Sequence, residues 1–125
     1  MQVQEQRLRI FDHHSYEISG EYYYSTLHRL DSHFIDVFAR AATLPKDGTL
    51  KVRIEVNFLV SRAKQSMASF MHQIADHNLT YTDHAILIEW RYEFDDEDIE
   101  ELGEIFQDIF KKKGIGDRFK LVSML

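Results

Sequence analysis

Between Leu50 and Asn78 the hydrophobic period changes from two to three-and-four, which restricts the chain to folds where a strand runs directly into a helix. Leu50, Val52, Ile54, Val56, Phe58 and Val60 alternate with Lys51, Arg53, Glu55 and Asn57, the pattern of a strand with one buried face. Beyond Ser61, the residues Ala63, Met67, Phe70, Met71, Ile74 and Ala75 recur at helical spacing, and Lys64, Gln65, Ser69 and Gln73 take the opposite side. The switch falls at Val60-Ser61-Arg62. Ser61 is the predicted N-cap, its hydroxyl accepting from an early helical N–H that otherwise lacks a partner. Such a junction gathers unpaired donors and the positive end of the helix dipole, so it suits an anion or a phosphorylated hydroxyl. The simpler explanation of a serine there is a cap and nothing more.

The flanking segments continue the exchange of strand for helix. Arg7 to Phe11 and Tyr16 to Ser19 read as short strands joined by the turn Asp12-His13-His14-Ser15, an expected hairpin with Leu8, Ile10, Tyr16 and Ile18 inward. After Gly20 come Tyr22, Tyr23 and Tyr24, an aromatic cluster at a helix entrance that can be an exposed docking patch or a core edge, the core edge being the favoured expectation. A helix from Ser25 or Thr26 to Ala42 carries Leu27, Leu30, Phe34, Val37, Phe38 and Ala41 on one stripe, and Pro45 and Gly48 end it. Ala85 to Tyr92 is the next predicted strand. Its more apolar face is Ile86, Ile88, Trp90 and Tyr92, and Leu87 opposite suggests an interior place in the sheet. A third helix follows Asp95-Asp96-Glu97-Asp98 with the stripe Ile99, Leu102, Ile105, Phe106, Ile109 and Phe110, and Asp117 to Met124 ends in a short strand. The implied class is α/β: a single mixed sheet of about five strands with three main helices packed against it, parallel by right-handed crossovers except at the first hairpin.

A chain of 125 residues is expected to form one domain, 1–125. Its net charge of -6 opposes a nucleic-acid groove, which needs clustered cations, and Lys111 to Lys113 sit where a helix C-terminus favours them. Having no cysteine, the chain lacks disulfides, thiolate chemistry and cysteine-held metals. Met1-Gln2-Val3-Gln4-Glu5 does not resemble a secretory signal and no apolar run is long enough to cross a bilayer, so a cytoplasmic location away from membranes is expected.

No catalytic set, nucleotide loop or cofactor motif is present: the five glycines make neither GxGxxG nor GxxxxGK[ST], and no general base stands at a motif spacing from Ser61. His28 and His33, like His72 and His77, are five apart and diverge on a helix, His13 and His14 diverge in a turn, and His84 stands alone in a connector. The run Asp95-Asp96-Glu97-Asp98 lacks the spaced carboxylates and central glycine of a calcium loop. Its position in a first helical turn is explained by the dipole, so no metal site is assigned.

Two stretches carry a family resemblance. Asn57-Phe58-Leu59-Val60-Ser61-Arg62-Ala63-Lys64, running on to Met67 and Phe70, resembles the strand, Thr-Ser-Ser junction and Lys-containing helix of the SiaC family of bacterial regulatory phosphoproteins. Glu89-Trp90-Arg91-Tyr92-Glu93, Asp95-Asp96-Glu97-Asp98 and Glu101-Leu102-Gly103-Glu104 are similar to that family's tryptophan strand and acidic helix start. The resemblance implies a STAS-like fold, as in anti-sigma-factor antagonists, with a phosphoacceptor hydroxyl at the start of the helix after the central strand. It also implies a binding switch that engages a diguanylate cyclase when unphosphorylated and is set by a kinase and a phosphatase. The sequence departs from the family where Val60-Ser61-Arg62 replaces Thr-Ser-Ser, so the threonine expected to accept phosphate is a valine. Either Ser61 takes over as acceptor or the protein is held in its partner-binding form. Glu21-Tyr22-Tyr23-Tyr24-Ser25-Thr26 also lacks the family's proline and asparagine.

The reading is a non-enzymatic signalling adaptor in cyclic-di-GMP regulation, binding its partner through Val60, Ser61, Arg62, Lys64 and Gln65, with Ser61 the candidate phosphoacceptor. Its rivals are an assembly protein that self-associates through its aromatic residues and, behind that, a metal-dependent hydrolase using Asp95, Asp96 and Asp98.

Overall fold

The computed structural model describes residues 14–125. Strands and helices alternate along it: β1 (Ser15–Tyr22), α1 (Leu27–Ala41), β2 (Thr49–Leu59), α2 (Ser61–Thr80), β3 (Ala85–Glu93), α3 (Glu97–Lys112) and β4 (Phe119–Met124), with single 3-10 turns at Tyr24–Thr26 and Gly116–Arg118. The sheet order is β1-β2-β3-β4 and every pair is parallel. A helix between each successive pair of strands returns the chain to its starting rim, which makes parallel pairing the outcome. Among the described residues the sheet therefore has four parallel strands, not the expected mixed sheet of about five. The predicted first strand, Arg7–Phe11, lies outside the described residues, while His14 occupies a turn and Ser15 already belongs to β1.

One face of the sheet is buried under the helices. Ile18, the even-numbered residues Leu50 to Val56, Ile86, Ile88, Trp90 and Phe119 form its core side. The predicted stripe of α2 is buried at all six positions, from Ala63 to Ala75, and Phe70 stacks on Phe34 of α1 with ring centroids 4.0 Å apart. On α3, Ile99, Phe106 and Phe110 are buried, but Ile105 is 61% exposed, against expectation. The apolar residues of α3 are spread wider than the stripe that the sheet and α2 can cover.

Gly103 sets how closely α3 approaches the sheet. A Cβ there would lie 2.5 Å from Trp90 Cδ1 and 2.6 Å from Leu121 Cδ2, so only glycine fits between the helix backbone and the indole. Trp90 uses that proximity to donate its indole N–H to the Ile99 carbonyl at 2.9 Å.

The opposite face is charged in rows. Register places Glu17 beside Arg53, Arg53 beside Glu89 and Glu89 beside Lys120, so the charges alternate in sign across all four strands. Arg53 Nε lies 3.4 Å from Glu89 Oε2. Parallel sheets usually have both faces covered; among the described residues no helix packs on this one, its neighbouring opposite charges compensate each other, and Leu87 on it is half-buried.

Candidate functional site

All four strands end at one rim, which is also where the three helices begin. Among the described residues the strand order has no reversal, so this rim lacks the switch-point crevice of doubly wound sheets; what it gathers is the unpaired N–H groups of the helix starts. At β2 the rim is shaped by a bulge: Gly20 pairs with Val56, but Glu21 pairs with Phe58, leaving Asn57 as an extra residue. The extra residue reverses the alternation. Leu59 turns inward and is buried, whereas Phe58, expected on the core face, is 45% exposed. It packs against Tyr23, also 45% exposed, with ring centroids 5.2 Å apart. The three tyrosines expected at the core edge thus divide: Tyr22 is buried, and Tyr23 and Tyr24 face solvent. Tyr23 donates its hydroxyl hydrogen to Glu21. This hydrogen bond, like the carboxylate's charge, raises the Tyr23 pKa above its ordinary value, the hydrogen bond being the larger cause. Phe94, just beyond β3, adds a further exposed ring at the rim.

The helix after β2 starts one residue earlier than its serine suggested. Val60, with φ -67° and ψ 163°, is the N-cap, and its carbonyl already accepts from Lys64 N–H at 3.0 Å. The Val60 N–H is held by the Tyr22 carbonyl at 3.1 Å, which fixes the extended geometry and makes Ser61 the first helical residue. Valine has no acceptor to offer, so α2 has no side-chain cap, and no acid lies in its first turn. At α3 the same position is filled: Asp96 accepts from Ile99 N–H at 3.1 Å, with Glu97, Asp98 and Glu100 in the first turn. Val60→Thr is therefore expected to raise stability by about 1 kcal/mol by supplying the missing cap; an unchanged unfolding midpoint in chemical denaturation would contradict that.

Ser61 is exposed, and its hydroxyl has no hydrogen bond among the described residues. Arg62, Lys64 and Gln65 are exposed too, while Val60 is half-buried against the core. Helical geometry gathers only some of them: Ser61, Lys64 and Gln65 share a flank of α2 with Ala68 and His72, and Arg62 stands about 100° away from Ser61. Asp95 and Asp98 are exposed, whereas Asp96 is half-buried and committed as a cap. Among the described residues no group of three or more His, Asp or Glu side chains is placed to hold a metal ion.

At the other rim the structure joins two histidines that spacing had left apart. His77 Nε2 and His84 Nε2 are 2.9 Å apart, and Asp83 lies 3.1 Å from His84 Nδ1. Because α2 ends between them, residues seven apart face each other across the connector. Facing nitrogens can share one proton and repel when each carries its own. Burial, and next the charge of His84, push the His77 pKa below its ordinary 6.5. A base depressed on folding stabilises the fold above the unfolded value and loses that contribution as pH falls through the folded one. The thermal midpoint should accordingly decline below pH 6.5, and His77→Gln should flatten that decline; an equal slope in both proteins would remove His77 as its origin.

These features define a small parallel α/β domain whose exposed aromatic rings and free hydroxyl lie at the carboxyl rim of the sheet. The family profile of the SiaC family regulatory phosphoproteins matches residues 9–116, and the chain belongs to that family. No curated protein and no solved structure matches it. The family assigns a regulatory role, with protein partners. Among the described residues no helix is long and apolar enough to cross a membrane.

Proposed function

We propose that this protein is a non-enzymatic adaptor that docks on a partner protein through the carboxyl rim and the first turns of α2, and that phosphorylation of Ser61 controls the docking. The observation that carries this reading is the Ser61 hydroxyl, exposed at a helix start with no side-chain cap. A kinase can reach it, and a phosphate placed there would add about -1.5 to -2 charge beside first-turn N–H groups, Arg62 and Lys64. Docking that fits a neutral hydroxyl would then meet a bulky dianion. The docking residues are Val60, Ser61, Arg62, Lys64 and Gln65, extended by Tyr23 and Phe58. By family resemblance the partner is a diguanylate cyclase in the bacterial cytoplasm, the fold is STAS-like, and a dedicated kinase and phosphatase set the switch. Val60 removes the family's threonine, which leaves Ser61 as the acceptor in reach.

Incubation with the cognate kinase and ATP should add one phosphate by intact mass, and Ser61→Ala should not gain it. Phosphate persisting on the alanine variant would remove Ser61 from the proposal. The unphosphorylated protein should bind and activate the cyclase, and the phosphorylated form should bind at least about tenfold more weakly.

A further inference from the structure

The flank of α2 that bears Ser61 continues away from the rim into a groove against α3. Ala68 and His72 form its α2 wall, Ile105, Asp108, Ile109, Lys112 and Lys113 its α3 wall, and the groove holds about 430 Å³. Its far end is closed where Lys113 Nζ of α3 meets Asp76 Oδ1 of α2 at 2.7 Å. From Ser61 to His72 the flank runs about 16 Å, three turns of helix. Ile105 stands over the groove with most of its surface in water, an apolar residue that the chain's own core leaves unused. Around it, Glu101, Glu104 and Asp108 line an adjoining hollow. Of these carboxylates only Asp108 has an ion-pair partner among the described residues, Lys112 at 3.0 Å.

We propose that this groove receives an amphipathic helix of a protein partner, with an apolar side chain between Ala68 and Ile105 and Lys or Arg side chains against Glu101 and Glu104. The inference deepens the docking reading above and rests on it, since Ser61 marks the open upper end of the same flank. The occupant is assigned by charge: the groove's own lysines are already paired, Lys112 with Asp108 and Lys113 with Asp76, while the adjoining hollow presents Glu101 and Glu104 without ion-pair partners among the described residues next to an exposed isoleucine, which suits a helix with one apolar stripe and a basic edge. A phosphate on Ser61 would stand where such a helix enters; its charge alone would favour a basic edge, so the loss of docking rests on its bulk at the entrance and on its pairing with Lys64.

The test uses the full chain and two synthetic helical peptides of about fifteen residues. One has leucine at alternating third and fourth positions with flanking lysines, and the other has glutamate in place of each lysine. Fluorescence anisotropy should give a Kd at least about tenfold lower for the lysine peptide, with amide shifts confined to the Ser61–His72 flank and the outer side of α3. Ile105→Asp, at an exposed position that leaves the fold intact by circular dichroism, should weaken that binding at least about tenfold. That variant makes the surface more acidic, so non-specific attraction of lysine would strengthen while seating in the groove is lost. The double variant Glu101→Lys and Glu104→Lys should reverse the preference between the peptides. Equal affinity for both peptides, unchanged binding by Ile105→Asp, or a dimer in sedimentation equilibrium that Ile105→Asp dissociates would overturn the proposal, the last by assigning the groove to a second copy. Failure of the groove with Ser61 still accepting phosphate leaves the switch standing. Groove binding that phosphorylation does not change retains the groove and discards the switch.

Discussion

Gly103→Ala is expected to destabilise the fold by about 2 kcal/mol and lower the thermal midpoint by roughly 5–10 °C. On helix propensity alone the change should help, because alanine exceeds glycine by about 1 kcal/mol in a helix interior. The site decides the sign. The new methyl carbon would lie 2.5 Å from Trp90 Cδ1, 2.6 Å from Leu121 Cδ2 and 2.7 Å from Trp90 Nε1, all closer than carbon packing permits. Leu121 can rotate, but the indole cannot withdraw, because it is fully buried, packs edge-on against Phe106 with centroids 5.3 Å apart, and is held by Ile99. Relief comes from moving α3 outward, which stretches the Trp90 to Ile99 hydrogen bond and opens space around Phe106. Trp90 is the chain's single tryptophan, so its emission reports on the change directly. A midpoint equal to or above the parent's, with an unshifted emission maximum, would show that the helix yields without cost.

Asn78→Ala should cost about 2–3 kcal/mol, because two backbone groups lose their partner together. The Asn78 side chain donates to the Ile86 carbonyl and accepts from the Ile86 N–H, both at 2.8 Å. It stands in for a strand neighbour where the connector from α2 enters β3. Without the amide, both Ile86 groups are left in a partly buried place that water reaches poorly. Urea denaturation should show the lower stability, and hydrogen exchange should show the Ile86 amide opening faster than its neighbours in β3. If Ile86 kept its protection in the variant, the asparagine would be decoration.

The α2 stripe from Ala63 to Ala75 was legible because a helix buried along one side repeats its pattern over about three turns, and the β2 alternation was legible up to Val56 for the same reason at period two. Periodicity could not reveal the bulge at Asn57, since one inserted residue leaves composition unchanged and only reverses which side chain faces inward. Phe58 and Tyr23 were therefore missed as a pair, although an asparagine before two consecutive large apolar residues was the available signal. Ser61 was found as the exposed hydroxyl but placed one position too far out. Cap statistics favour serine, whereas the Tyr22 carbonyl holding Val60 N–H decides the matter through a contact between strands. Ile105 fitted the helical period and still faces water, because the width of a stripe depends on what lies opposite. The pairing of His77 with His84 needed the place where α2 stops, and element ends are what a sequence shows least well.

The alternating charges across the sheet also bear on its register. A parallel pair that slips by two residues keeps its apolar side inward, so hydrophobic burial alone does little to reject it. The charged row distinguishes such slips only in part: sliding β2 two residues along β3 sets Arg53 opposite Arg91 but also Lys51 opposite Glu89, and sliding it along β1 sets Glu17 opposite Glu55 in one direction and opposite Lys51 in the other. The native alignment instead gives Arg53 a carboxylate on either side. A slip of either pair alone forfeits that arrangement of one cation between two carboxylates, so the row favours the native register over neighbours that the core would accept.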